Sequence, residues 1–206
     1  AYPVSMWKLG LSGSLLVTGA LLVALLVWYV FFMRARVGDV GVSFFGAAYT
    51  GLLLSSLILV RMSLPGIWGG VLVCGVFCSV WANDSFAYLV GSKFGKHKLA
   101  PRISPKKSVE GLVGSMLFAM AGAFAVFACT YDASKWATRW WVPIVAGILI
   151  GAVGTFGDLC ASMLKRDIGI KDMGHLLKGH GGVMDRVDSI LMSAPFTCAL
   201  LWIIGL

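Results

Sequence analysis

The chain has 206 residues, of which 59% are hydrophobic, and its mean hydropathy is +0.89. This composition excludes an ordinary water-soluble domain, because too few polar residues remain to cover a surface, so lipid must solvate much of the chain. The net charge is +8. In a membrane protein, such an excess indicates contact with anionic headgroups or with a phosphate-rich substrate, so we expect membrane lipid as a partner and no nucleic acid.

Six apolar stretches are long enough to cross a bilayer as helices, which takes about 20 residues each. In chain order they cover approximately 11–33, 40–60, 66–90, 111–131, 140–161 and 187–206. Pro195 predicts a kink in the last of them. The pattern predicts an all-α fold: a polytopic transmembrane bundle of about six spans, forming one integral membrane domain over residues 1–206.

Two long polar connections, at about 91–110 and 162–186, interrupt this apolar pattern. They follow the third and fifth predicted spans, and with the loop after the first span they hold most of the lysines and arginines. The opposite side holds only Lys8, Arg61, Lys135 and Arg139. Because basic loops face the cytoplasm, both polar connections are predicted on that side, where nucleotides are found.

Two predicted spans each contain a carboxylate near the cytoplasmic end, Asp84 in the third and Asp158 in the fifth. An ionisable residue inside a membrane is costly, so each is a candidate functional residue. The alternative is a carboxylate that pairs with a neighbouring lysine or arginine, or caps a helix break. Their shared membrane face favours the functional interpretation.

Helical spacing groups these acids with other polar residues. If the fifth helix continues, Asp158, Ser162 and Lys165 share one face, as Asp185 and Asp188 do in a helix after the second connection. Carboxylates clustered in this way repel one another unless a cation lies between them. Oxygen ligands without His or Cys favour a hard ion such as Mg²⁺, beside which the neighbouring basic residues would bind phosphate.

Each polar connection also has features of a phosphate site. The second contains Gly181 and Gly182 after His180, and successive backbone N–H groups there would form an anion-binding nest, although loops use glycine freely. The first is either a solvated loop held against anionic headgroups or a cradle for phosphate groups. Its cations are Lys93, Lys96, Lys98, Arg102, Lys106 and Lys107.

Three motifs in this order resemble a known family. Ser162 to Arg166, Lys171 to Gly174 and His180 to Asp188 together resemble the signature of phosphatidate cytidylyltransferases, also called CDP-diacylglycerol synthases. Residues 83–88 and 99–111 are similar to two further family motifs, so the close resemblance covers about 80–190. The chain departs from the family at Lys178, where proline is usual. Family members usually carry additional N-terminal spans, so we expect that this chain lacks them.

The resemblance implies a Mg²⁺-dependent membrane enzyme, often a homodimer, that transfers the cytidylyl group of CTP to phosphatidate and releases pyrophosphate. It implies Asp158 and Asp185 as metal-binding residues, with a second cation as a further candidate. We predict as catalytic residues Lys165, Arg166, Lys171, Asp172, Arg186 and Asp188. We predict as residues that bind CTP or the lipid headgroup Asp84, Lys93, Arg102, Lys106, Lys107, Ser162, His180, Gly181 and Gly182. The expected location is a bacterial inner membrane with the active site on the cytoplasmic side.

Other functions fit the sequence less well. An ion-coupled transporter would also place acids within broken spans, but it predicts paired halves with matching interruptions, which this sequence lacks. A phosphotransferase that uses CDP-alcohols would carry a different acidic motif. A catalytically inactive lipid-binding homologue stays open because of Lys178.

Overall fold

The computed structural model describes residues 1–32, 34–130, 138–170, 172–174 and 182–205. In these residues the chain is helical apart from one small hairpin. The helices are α1 (Tyr2–Phe31), α2 (Val37–Ala47), α3 (Leu53–Met62), α4 (Trp68–Phe94), α5 (Val109–Thr130), α6 (Val142–Asp167) and α7 (Met184–Ile203). A π-helical turn, Ala48–Leu52, joins α2 to α3, so these two form one continuous span.

Six helical segments are long and apolar enough to cross a membrane, which confirms the predicted number of spans and the helical fold class. Several extend beyond their predicted limits. α1 begins at Tyr2, but a break at Gly10, where φ is 62°, separates its first residues from the rest of the helix. α6 continues without a break to Asp167. The difference has a simple cause. Hydropathy marks the apolar part of a helix, whereas backbone hydrogen bonds carry the helix onward through polar residues. Accordingly, the polar connections are shorter than predicted.

The first polar connection contains a β-hairpin that the sequence analysis did not predict. Strand β1 (Lys98–Ala100) pairs antiparallel with β2 (Ser104–Ser108), with Lys98 opposite Ser108. The hairpin is clamped to the start of α5, because the backbone N–H of His97 donates to both carboxylate oxygens of Glu110 at 3.2 Å. The His97 ring nitrogen Nδ1 lies 2.7 Å from Glu110 Oε1. The hairpin is therefore held in a defined position over the bundle.

Helices α4, α5, α6 and α7 pack into one bundle, α3 packs against α7, and α1 lies at the edge against α2 and α3. Glycines allow the closest approaches. Gly147 of α6 faces the backbone of Met120 in α5, and Gly157 faces the backbone of Asp188 and Ser189 in α7. Small residues at such contacts let helices in lipid pack by van der Waals attraction, where water does not drive them together. The end of α4, the start of α5, the end of α6 and the start of α7 meet at one end of the bundle.

A single added methyl group tests the packing of α5 against α6. We expect Gly147→Ala to lower the midpoint of thermal unfolding in detergent, because its Cβ atom would collide with the Met120 backbone. Overpacking of this kind costs about 1–3 kcal/mol. Gly19→Ala on α1 is the matched control, since nothing lies within 4 Å of its Cβ position. Equal unfolding midpoints for the two variants would show that the α5–α6 contact is looser than described.

Candidate active site

Two of the predicted site residues, Asp84 and Asp158, lie below the ends of their helices rather than at the tips. Asp84 lies about three turns before the end of α4, and Asp158 lies two to three turns before the end of α6. With a rise of 1.5 Å per residue, these depths are roughly 15 Å along each helix axis. The site is therefore recessed between helices.

A cavity of about 220 Å³ opens at this level, between α4, the hairpin, the start of α5 and α6. Its lining combines two acids, two cations and apolar side chains. The polar lining residues include Asp84, Tyr88, Ser104, Lys106, Lys107 and Asp158. The structure thus brings together residues from both the Asn83–Tyr88 motif and the hairpin motif, which are separate in the sequence.

The central contact of this cavity is an ion pair between Lys107 and Asp158. Lys107 Nζ lies 2.6 Å from Asp158 Oδ2 and donates a second hydrogen bond to the carbonyl oxygen of Thr155 at 3.2 Å. The other carboxylate oxygen of Asp158 accepts a long hydrogen bond of 3.3 Å from Ser162 Oγ. α6 therefore continues past Asp158, and Asp158 and Ser162 share a face as their spacing predicts.

A second ion pair joins the end of α6 to the start of α7. Lys165 Nζ lies 2.8 Å from Asp185 Oδ1, and both side chains are nearly buried. Asp185 Oδ2 accepts hydrogen bonds of 2.9 Å from the backbone N–H groups of Met173 and Gly182. Both oxygens of Asp185 are thus engaged, and this carboxylate ties the connection between α6 and α7 to the helix that follows it.

A further acid, Asp188, lies deeper, at the contact of α4, α6 and α7. Asp188 is only 6% exposed, and its Oδ1 accepts a 2.7 Å hydrogen bond from the backbone N–H of Ser189. Ser189 Oγ lies 3.4 Å from both Asp84 Oδ2 and Asp188 Oδ1, and it can donate to either. Asp84, Asp158 and Asp188 also act on one another electrostatically. Three carboxylates on three helices therefore lie close enough to influence one another, with Lys107 and Lys165 also nearby.

The remaining predicted residues are less closely grouped. Lys93 and Arg102 are exposed and do not line the cavity, while Arg166 and Asp172 are exposed near the end of α6. The carbonyl oxygen of Arg186 accepts a 3.4 Å hydrogen bond from Trp81 Nε1, which places this residue beside α4. Outside the described residues lie Lys171, Lys178, His180 and Gly181.

The sequence model of the cytidylyltransferase family matches residues 2–204 of this chain. The chain belongs to the cytidylyltransferase family. A protein named phosphatidate cytidylyltransferase from Mycobacterium bovis is 36% identical, over 91% of this chain and 63% of its own length. A protein of the same name from Haemophilus influenzae is 41% identical, over 62% of this chain and 44% of its own length. Another from Mycobacterium leprae is 46% identical, over 61% of this chain and 40% of its own length. This cytidylyltransferase-family chain is an integral membrane protein that spans less than two thirds of these relatives.

Two residues near the site were given no role by the sequence analysis. Ser189 is one, and Asn83 of α4 is the other. Asn83 is fully buried beside Gly154, and within the described part of the chain neither polar atom of its amide has a hydrogen-bond partner among the protein atoms. An asparagine inside an apolar span was the available signal.

The oxygen donors of the site fit a hard divalent cation. Asp84, Asp158 and Asp188 contribute carboxylates, with no His or Cys among them. Across the described segments, no group of three His, Cys, Asp or Glu residues is arranged to hold a metal ion by itself. Mg²⁺ in nucleotide enzymes is usually bound by one or two carboxylates together with substrate phosphates, so this donor set suits Mg²⁺ bound with a nucleotide.

Proposed function

We propose that this chain transfers the cytidylyl group of CTP to phosphatidate, giving CDP-diacylglycerol and pyrophosphate. The observation that carries the proposal is the recessed cavity, where Lys106 and Lys107 of the hairpin face Asp84 and Asp158 of two helices. The names of the relatives, phosphatidate cytidylyltransferase, agree with this chemistry. A site of carboxylates and cations suits a reaction in which charge is the main obstacle.

The chemistry needs little from a general base. A phosphate oxygen of phosphatidate would attack the α-phosphorus of CTP, the bond from that phosphorus to the β-phosphate oxygen would break, and pyrophosphate would leave. The nucleophile is an anion near neutral pH, so no side chain has to deprotonate it. The barrier arises because this anion must approach a polyanion, and fixed positive charges lower that barrier.

The basic side chains would supply those charges. Lys107 and Lys106 would bind phosphate oxygens inside the cavity, with Lys107 exchanging its contact with Asp158 for one with the substrate. Lys165, Arg166, Lys171 and Arg186 would bind the nucleotide phosphates from the connection between α6 and α7, in part through two-pronged guanidinium contacts. Asp188 and Asp172 would orient these cations, and Ser162, Asp84 and the residues 180–182 would assist in substrate binding. Lys93 and Arg102, which do not line the cavity, are left out of this assignment.

Mg²⁺ would be held by Asp158 and, in exchange for its bond to Lys165, by Asp185. When bound, the ion would neutralise phosphate charge and stabilise the charge that develops on the leaving group. A second cation is a further proposal. The oxygen-only side chains of Asp158 and Asp185 support the assignment of Mg²⁺, because carboxylate oxygens are ligands that this ion prefers in proteins.

The position of the site supports the location that we propose. The substrates differ in solubility, since CTP is dissolved in water and phosphatidate keeps its acyl chains in the bilayer. A cavity recessed at one end of a membrane bundle is accessible to both. We propose that the protein lies in the inner membrane of a bacterium and that this end of the bundle faces the cytoplasm, because the basic connections lie there. Assembly as a homodimer stays a prediction.

Pyrophosphate release tests the proposed reaction directly. The purified chain, reconstituted in phosphatidylcholine vesicles, is incubated with CTP, Mg²⁺ and phosphatidate. We expect pyrophosphate and CDP-diacylglycerol to form in equal amounts, and neither to form when phosphatidate or CTP is omitted. Release of pyrophosphate without lipid would indicate simple CTP hydrolysis. Absence of both products in the folded protein would contradict the proposal for this chain.

A further inference from the structure

The cations of the hairpin region divide into two groups that the sequence does not distinguish. Lys106 and Lys107 line the cavity, whereas four others lie outside it with exposed side chains. We call these four the outer basic surface. It consists of Lys93, Lys96, Lys98 and Arg102.

The outer basic surface has no acidic partner in the described residues. The three ion pairs found there involve His97, Lys107 and Lys165, and none includes a member of this surface. The segment from Gly91 to Val109 contains no Asp or Glu at all. Because like charges placed together repel, an external anion that lies against this surface would be attracted to it and would lower its free energy.

The level of this surface in the membrane identifies that anion. Lys98 pairs with Ser108, which packs against Gly91 and Gly95 at the end of α4. Beside it, Phe94 is 66% exposed although it is an apolar side chain at the end of a membrane span. An exposed apolar side chain at the end of a span is stable where it contacts the hydrocarbon of the lipid rather than water. The cations next to it therefore lie at headgroup depth.

We propose that the outer basic surface binds the headgroups of anionic phospholipids, and that it is separate from the cavity in which substrates react. The hairpin presents Lys98 and Arg102 in fixed positions, because His97 and Glu110 clamp its base to α5, and Lys93 is held on the last turn of α4. Attraction to anionic headgroups is worth roughly five-fold in affinity per lysine or arginine at a membrane surface. Such a surface would concentrate anionic lipid beside the mouth of the cavity.

Lipid binding by the intact chain tests this proposal without measuring turnover, so its outcome is independent of the proposed reaction. Native mass spectrometry of the protein in neutral detergent gives dissociation constants for phosphatidylglycerol and phosphatidylcholine. We expect the Lys96→Gln/Lys98→Gln variant to bind phosphatidylglycerol about twenty-five-fold more weakly, from two lost cations at roughly five-fold each, and phosphatidylcholine equally. The charge-conserving Lys96→Arg/Lys98→Arg variant should bind as the unaltered protein does.

Two comparisons make the result specific. Lys8→Gln removes an exposed cation from α1 and should leave phosphatidylglycerol binding unchanged. Added pyrophosphate should not displace the lipid that depends on Lys96 and Lys98. Displacement by pyrophosphate would assign these lysines to the binding of soluble phosphates and overturn the proposal. Equal phosphatidylglycerol affinity in the glutamine variant, with an unchanged unfolding midpoint, would overturn it as well.

Discussion

The Asp158→Asn variant is expected to lose about a thousandfold in CDP-diacylglycerol formation while its fold is retained. Asp158 is the acid that Lys107 contacts in the cavity, and it is our first candidate to bind Mg²⁺ with the nucleotide. Loss of one metal-binding carboxylate removes several kcal/mol of transition-state stabilisation, and each 1.4 kcal/mol is about ten-fold in rate. Turnover with CTP and phosphatidate, measured against Mg²⁺ concentration, gives the size of the loss.

Asp167→Asn provides a matched control on the same helix. Asp167 is exposed at the end of α6, outside the cavity, so its loss should change turnover little. The binding of Mn²⁺ in the presence of CTP, measured by electron paramagnetic resonance, adds a readout besides activity. We expect the affinity for Mn²⁺ to fall for Asp158→Asn and to stay unchanged for Asp167→Asn. Near-normal turnover of folded Asp158→Asn protein would remove this carboxylate from the mechanism.

The pair of Lys165 and Asp185 is expected to act as one unit. Lys165→Met and Asp185→Asn should each reduce turnover on the order of a hundredfold or more. The turnover of the double variant should be no lower than that of the less active single variant. The reason is that the two side chains meet in one nearly buried ion pair. The other carboxylate oxygen of Asp185 accepts hydrogen bonds from the backbone of Met173 and Gly182, so the loss of either partner disturbs the same contacts. Residues that act together show such non-additive losses.

Thermal unfolding tests whether Lys165 and Asp185 also stabilise the fold as an ion pair. Breaking a buried ion pair by removing one partner costs about 3–5 kcal/mol, because a charge is left uncompensated. The single variants should therefore unfold at lower temperature than the double variant, whereas Lys8→Met, on α1, should change nothing. Additive losses in turnover would instead mean that Asp185 and Lys165 contribute separately, with Asp185 acting on the metal without the help of Lys165.

The membrane fold could be predicted from composition and hydropathy because lipid imposes a strong local rule. A span needs about 20 apolar residues in a helix, and each of the six stretches meets that requirement independently of the others. The same local reasoning placed Asp158 and Ser162 on one helical face, since helical spacing depends only on the chain nearby. The limits of the helices were less accurate, as the longer α6 shows, because polar residues can continue a helix that apolar residues began.

Contacts between distant segments could not be predicted in this way. The pairing of Lys107 with Asp158 joins a hairpin to a helix, and Ser189 meets Asp84 across two helices. No periodicity relates such residues, because their distance depends on how the helices pack and on where glycines let them approach. The hairpin itself was missed since its strands are short and β2 contains Pro105, and proline is unusual within paired strands.

By itself, then, the sequence indicated that lipid surrounds much of this chain. It also indicated the number of spans, the family and the residue types available for phosphate chemistry. Tertiary structure decided which of those residues meet. It separated Lys106 and Lys107 from the outward-facing cations of the same segment, and it engaged both oxygens of Asp185 in contacts that spacing alone does not reveal. The physical reason is that helix formation in lipid is a local property, whereas the geometry of a charged site arises from the packing of all the helices together.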